Sequence, residues 1–290
     1  MNAPEFSIVI CVGCKDVFVV KKVIRQIRRG FIIGGDTIYL LTNSRFFCFY
    51  SEQYCDENNV VLLDESKLLP NLNIKIVRDL VNRHFTEPMR AGWYFQQFLK
   101  MGFALTEYAK DYYLIWDADT FPTTPLQFFD DHGSMLLTQK EEYHRPYFET
   151  MKRLIGLGKT VDFSFIAEHM LVKTNYMREL IHTIEKNEIK GEYWFEKVIN
   201  AIEPSSILGF SEFETYGTWV NCNHRDSISY RRLRTMRDAG CLYGRAIKEK
   251  ELKKYDGITD TISVEARDFP PFPRNIYQYA QFAFLYMLKP

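Results

Sequence analysis

Two aspartates, Asp117 and Asp119, stand at i and i+2 directly after the apolar run Tyr112–Trp116. At a strand end this spacing sends both carboxylates toward the same side. Paired carboxylates are hard-oxygen donors for Mg2+ or Mn2+, ions that keep waters and share ligands with substrate phosphates. The competing structural reading is a turn that caps the strand, because Pro122 and Pro125 stop the element at once. A helix predicted just upstream, from about Gly92 to Tyr108, sets Trp93, Gln96, Gln97 and Lys100 on one side at i, i+3, i+4 and i+7. Core packing does not require that polar set. Its bland reading is a solvated helix face.

The elements that must position these residues are legible upstream. Ser7–Val12 is a β-branched run suited to a strand buried on both faces. A helical pattern over Val17–Arg29 follows, then strands over Thr37–Thr42 and Val60–Leu63. Strand, helix and strand in alternation predict an α/β fold with right-handed crossovers. Ligands in such sheets bind outside the carboxyl ends of the strands. That directs attention to Val12–Asp16, Thr42–Ser44 and Asp64, beside Asp117 and Asp119. In the second half, 163–173 reads as a strand, and 175–188 and 193–202 as helices. No internal repeat or low-complexity linker interrupts the 290 residues, so a single domain is expected.

Composition limits the partners. Lys+Arg 37 balances Asp+Glu 37, which argues against a polyanion-binding protein and so against nucleic acid. Charge is segregated locally: residues 225–254 carry six Arg and four Lys against four acids. That stretch reads either as a solvated helix or as a contact for anionic lipid. The aromatic, nearly uncharged tail at 276–288 would suit a membrane interface. No run approaches the ~18 apolar residues of a membrane span, and no basic leader precedes the first apolar run. A cytoplasmic protein, at most peripheral at the inner membrane, is expected. Six cysteines include the pair Cys11 and Cys14, with no second such pair, so small hydrophobes at a strand end outweigh a zinc or redox site. The aromatic content of 16% fits either core packing or stacking on sugars.

The segments RAGWYFQQFLK at 90–100, YLIWDADT at 113–120 and SEFETYG at 211–217 resemble the bacterial glycosyltransferases of the DUF6492 group, which are similar to the wider GT-A nucleotide-sugar transferases. The resemblance spans roughly residues 5–235. The order of helix and paired aspartates also resembles the glycogenin-like retaining family, but that family's late His-Gly and Lys-Pro-Trp motif is missing, so its stereochemistry is not carried over. The resemblance implies a GT-A fold, Rossmann-like with a mixed central sheet. It also implies a nucleotide-sugar-binding half over about 5–125, an acceptor half over about 126–235, and a basic and aromatic extension over 236–290. A UDP- or GDP-sugar donor and a Mn2+ or Mg2+ ion follow from it. Val12, Lys15, Asp16 and Asp64 would line the nucleoside pocket. Asp119 would ligate the metal, with Asp117 on the ribose or on the metal through water. Gln97 and Lys100 would approach the diphosphate or hold the paired aspartates.

The resemblance further implies a late histidine ligand, for which His224 is best placed. His169 is its rival and, with Trp93, would face donor or acceptor sugar. Inverting transfer needs a carboxylate to take the acceptor proton. Glu212 and Glu214 both qualify. Ser211 and Glu214 also match a capping box, a structural role that Glu212 lacks; Glu212 is therefore preferred, and Glu168 is a lesser option. The implied activity is sugar transfer to a glycan or lipid-linked glycan in capsule, O-antigen or lipooligosaccharide synthesis. Two competing readings are a sugar-1-phosphate nucleotidyltransferase and a non-catalytic sugar-binding module on the same scaffold. The nucleotidyltransferase would want a richer Gly and basic loop than the one at 12–16.

Overall fold

The computed structural model describes residues 4–86, 90–206 and 208–287; Leu288, the last residue of the predicted aromatic tail, lies outside them. Ten strands are formed: β1 Phe6–Cys11, β2 Gly35–Thr42, β3 Val60–Asp64, β4 Tyr112–Trp116, β5 Thr120–Pro122, β6 Met135–Thr138, β7 His169–Lys173, β8 Ile228–Arg231, β9 Thr235–Met236 and β10 Thr261–Ser263. Helices intervene: α1 Val19–Gln26, α2 Glu52–Glu57, α3 Ile74–His84, α4 Ala91–Gly102, α5 Arg145–Ile155, α6 Thr174–Lys186, α7 Trp194–Ala201, α8 Glu212–Asn223, α9 Ala239–Tyr243, α10 Glu249–Leu252 and α11 Arg274–Met287. The five-stranded sheet has the order β3-β2-β1-β4-β7, so the earliest strand lies at its centre. β1 is buried along its whole length, as its unbroken apolar run requires. The fold is mixed α/β with a central sheet.

The chain divides into two compact units interleaved in sequence. The first comprises Met1–Ser7, Asp64–Ile115 and Phe129–Arg231. Its core is aromatic: Phe98 lies 5.4 Å from Trp194, 6.0 Å from Phe195 and 6.5 Å from Phe210, centroid to centroid. Much of the aromatic composition is spent here on packing rather than on an exposed sugar platform. β6 pairs with β8 in parallel, Met135 opposite Ile228 and Thr138 opposite Arg231.

The second unit comprises Ile8–Leu63, Trp116–Phe128 and Arg232–Pro290. α1 buries Val19, Val20, Val23 and Ile24, one stripe at helical spacing. β10 pairs antiparallel with β5 and parallel with β9. The last part of the chain thus belongs to the same unit as the first strands, and it packs beside the residues that follow β4.

Three expectations need correction. The strand predicted over 163–173 is confined to β7. Ser164 spends both backbone groups on Lys140, and the Phe165 N–H donates to the Glu214 carboxylate, so no ladder extends through them. The basic stretch 225–254 is not one helix but passes through β8, β9, α9 and α10. Its arginines are largely committed: Arg231 to His169, Arg234 to Asp260, Arg237 to Glu265, and Arg245 to Asp16 and Asp119. The capping box at Ser211 is only half formed, since Ser211 Oγ accepts from the Glu214 N–H while the Glu214 carboxylate bonds elsewhere.

Candidate active site

In the second unit the chain leaves β1 at Val12, whose N–H donates to Leu41 O and whose carbonyl accepts from Thr42 Oγ1, both at 2.8 Å. Gly13 follows, then a single turn over Cys14–Asp16 that brings the Asp16 carboxylate out at the strand end. β4 ends in a pinned turn. The Thr120 N–H donates to Asp117 O at 3.2 Å, and Trp116 Nε1 closes the same turn by donating to Thr120 O at 2.8 Å. β10 anchors it from the side: Val264 N–H donates to Asp119 O at 3.0 Å, and Thr120 Oγ1 meets Ser263 Oγ at 2.7 Å. Asp117 and Asp119 therefore stand on a rigid platform.

Arg245 is the counter-ion of this platform. Its side chain is buried, pairs with Asp16, lies 3.5 Å from Asp119 Oδ2 and donates to Val264 O at 2.8 Å. Its backbone N–H donates to Gln278 Oε1 at 3.0 Å, which fixes it to α11. Burial, and next the like charge of Asp16, push the Asp119 carboxyl up to about 8 against the pull of Arg245; Asp117 and Glu265 add to the rise. Lys15 lies with Nζ 4.8 Å from the Phe282 ring centre and 5.7 Å from that of Tyr286, both on α11.

Among the described residues no three His, Cys, Asp or Glu side chains converge into a group that could hold a metal. Asp117 and Asp119 nevertheless suit a hard divalent ion. Mg2+ is commonly held by one or two carboxylates, waters and substrate phosphates, and the raised Asp119 carboxyl marks a place where added positive charge is favourable.

The first unit holds the other predicted residues. α4 buries Gln97 and Lys100, and both meet the start of α8. Lys100 Nζ donates to Glu212 Oε1 at 3.0 Å, and Gln97 Oε1 accepts from the Glu212 N–H at 3.0 Å. Glu214 Oε2 accepts from Ser164 Oγ at 2.5 Å and from the Phe165 N–H at 3.2 Å, while its Oε1 has no hydrogen-bond partner among the described residues. Burial pushes the Glu214 carboxyl up, opposed by those two donors. Tyr216 OH accepts from the Lys173 N–H at 2.8 Å, which ties α8 to β7. A Cβ on Gly217 would fall 2.3 Å from Phe165 Cγ, so only glycine permits this approach. The segment 211–217 thus carries a structural load at nearly every position.

His169 opens β7 and is buried, with Nε2 3.1 Å from Arg231 Nη2 and 3.2 Å from Thr138 Oγ1. Burial and the charges of Arg231 and Lys140 hold it well below the ordinary histidine range, so it is neutral and Nε2 accepts from Arg231. Glu168 lies 3.2 Å from Lys140 Nζ. His224 caps the end of α8, stacked on Tyr176 at 3.6 Å, with Nε2 2.6 Å from Glu179 Oε2. Trp93 is half-buried, edge-on to Tyr94 at 4.9 Å. Asp64 accepts from the Ser66 N–H and hydroxyl in a local turn.

The second unit therefore gathers Val12, Lys15, Asp16, Asp117 and Asp119 at strand ends and their flanks, and the first gathers Gln97, Lys100 and Glu212. Sequence reasoning missed Arg245, Glu265, Arg231 and Lys140. No spacing signal could have found Arg245, which lies 126 residues from Asp119 inside a basic run.

What fold and site define together is an α/β protein with a strand-end carboxylate platform. The chain belongs to DUF6492, a family of unknown function, whose model matches residues 37–244. No curated protein matches it. Among solved structures it is similar to the galactosyltransferase LgtC in complex with donor and acceptor sugar analogs, at 12% identity and a TM-score of 0.46, covering 98% of this chain and 95% of that one. Mouse xyloside xylosyltransferase 1 is similar at 11% identity and a TM-score of 0.45, covering 90% and 97%. The glycosyltransferase GlyE of Streptococcus pneumoniae TIGR4 is similar at 13% identity and 0.41, covering 98% of this chain and 63% of that one.

Proposed function

We propose that the protein is a metal-dependent glycosyltransferase that moves a sugar from a UDP- or GDP-sugar to a glycan or lipid-linked glycan during bacterial surface polysaccharide synthesis. It works on the cytoplasmic side, peripheral at an anionic membrane surface; no helix among the described residues is long and apolar enough to cross a membrane. The observation that carries the reading is the platform after β4. Two carboxylates sit on a turn pinned by Trp116 and β10, and Asp119 lies 3.5 Å from Arg245, which also pairs with Asp16. Asp117 and Asp119 would hold the ion, whose charge offsets that of the diphosphate.

In this reading Val12, Lys15, Asp16 and Asp64 border the nucleoside. Glu212 takes the proton of the acceptor hydroxyl as that oxygen bonds to the anomeric carbon, and the bond to the nucleoside diphosphate breaks with its electron pair leaving on the phosphate. Glu214, with one buried oxygen unpaired, is the alternative base. His169 and Trp93 contact sugar. The deciding experiment is a thermal-shift screen of UDP- and GDP-sugars with and without Mn2+, followed by product analysis. Stabilisation that needs both nucleotide sugar and Mn2+, together with donor turnover, supports the reading. Nucleotide binding without turnover on any acceptor would favour a sugar-binding module instead.

A further inference from the structure

In the second unit, three basic side chains near α1 and α10 are neutralised by acids of the protein. Arg29 pairs with Glu249 at 2.7 Å, Lys253 reaches the same carboxylate at 3.6 Å, and Arg274 pairs with Glu251. Among the described residues Lys22, Arg25 and Lys248 make no ion pair, nor do Lys21, Arg28, Lys250 and Lys254; what sets the first three apart is that they share one cleft. Lys22 Nζ donates only to the Ile247 carbonyl, at 3.0 Å. Burial lowers the Lys22 pKa, and the charges of Arg25 and Lys248 lower it further; Glu251 opposes them but is already held by Arg274 and the Lys248 N–H. All three cations line one open cleft of about 240 Å3, together with Leu252 and Glu249, whose carboxylate is engaged by Arg29 and Lys253.

Lys22 also lines a second cleft of about 290 Å3, whose other walls are Phe18, Arg245, Tyr277 and Phe284. The last two belong to α11, a helix that turns Gln278, Phe282 and Leu285 inward. Its outer face carries no charge from Asn275 to Met287, yet Ile276, Tyr277 and Tyr279 are more than half exposed and Met287 is 76% exposed. A solvated helix ordinarily carries charges on its outer face. Aromatic rings on an otherwise uncharged face match the water–lipid boundary.

We propose that Lys22, Arg25 and Lys248 form a phosphate site for an anionic phospholipid, with the glycerol and upper acyl portion lying against Tyr277 and Phe284. The site deepens the membrane part of the function proposed above and does not depend on sugar transfer. It also moves the lipid contact away from the arginines of 225–254, of which Arg234, Arg237 and Arg245 are paired with acids of the protein.

The test is co-sedimentation with vesicles of phosphatidylcholine alone or mixed with phosphatidylglycerol. Binding is expected only to the mixed vesicles. The variant K22A/R25A/K248A should lose roughly 100-fold in vesicle affinity, at about fivefold per lost cation near an anionic surface. Y277S/F284S should weaken binding in the same assay, with melting temperature read alongside to confirm folding. Three results would overturn the proposal: no binding to either vesicle, an equal loss on neutralising the exposed Lys75, Lys152 and Lys190 of the other unit, or full competition by inorganic phosphate. The last outcome would assign the cleft to a free phosphate. UDP- and GDP-sugar binding measured on the same variants keeps the transferase reading separate, since it should be unchanged.

Discussion

Replacing Arg245 by Met keeps the alkyl stem and removes the cation from a buried cluster. Removing one partner of a fully buried ion pair costs roughly 3–5 kcal/mol. Here the Asp16 and Asp119 side chains stay 24% and 22% exposed, so water recovers part of the loss. The Val264 carbonyl also loses its donor. Together these give about 2–3 kcal/mol, or roughly 3–5 °C in melting temperature for a chain of this size. Arg245→Lys should fall between, because an ammonium keeps the charge but loses the fork that reaches both carboxylates. Differential scanning fluorimetry reads both variants. Adding Mn2+ supplies a second check: with the guanidinium gone, the ion should stabilise Arg245→Met by more than it stabilises the native protein. A melting point within about 1 °C of native, with no larger response to Mn2+, would refute the view that Arg245 balances this platform.

Asp119→Ala should abolish the Mn2+-dependent part of nucleotide affinity while leaving the fold intact, read by titration calorimetry; retained metal response would remove Asp119 from the site. Glu212→Gln should slow turnover by roughly 10²–10⁴-fold with donor affinity little changed, and Glu214→Gln should be nearly silent; the reverse pattern transfers the base to Glu214. Burial raises the Glu214 carboxyl above the ordinary range, so the folded state keeps a proton that the unfolded chain has lost, and stability contributed by the group declines as pH rises through that raised value. Glu214→Gln should therefore flatten the loss of melting temperature as pH rises above the ordinary carboxylate range, and an unchanged slope would count against the shift. Gly217→Ala should cost about 1–3 kcal/mol through its clash with the Phe165 ring, measurable by denaturant titration.

The α/β class was readable because β1, β2, β3 and β4 are short apolar runs separated by helical spacing, and β4 ends where its carboxylates begin. The position of Asp117 and Asp119 at a strand end followed from that alone. The polar face of α4 was also visible, although its role was not: Gln97 and Lys100 are buried because they hold the start of α8, a contact 112 to 115 residues away in sequence. Local pattern carries no record of such partners. The capping box at Ser211 misled for the same reason, since the distant Ser164 hydroxyl outcompetes the local N–H for the Glu214 carboxylate. The basic stretch read as a free surface because the acids that neutralise it, Asp16, Asp119, Asp260 and Glu265, lie elsewhere in the chain.

The separation between Asp119 and Arg245 also bears on synthesis. At roughly 5–20 residues per second, the 126 residues between them take on the order of 6–25 s to add. During that interval Asp16 and Asp119 are present and Arg245, the buried cation that pairs with both, is not. A chain that stops before Gly244 retains every aspartate of the platform and lacks the residue that lets them stand together.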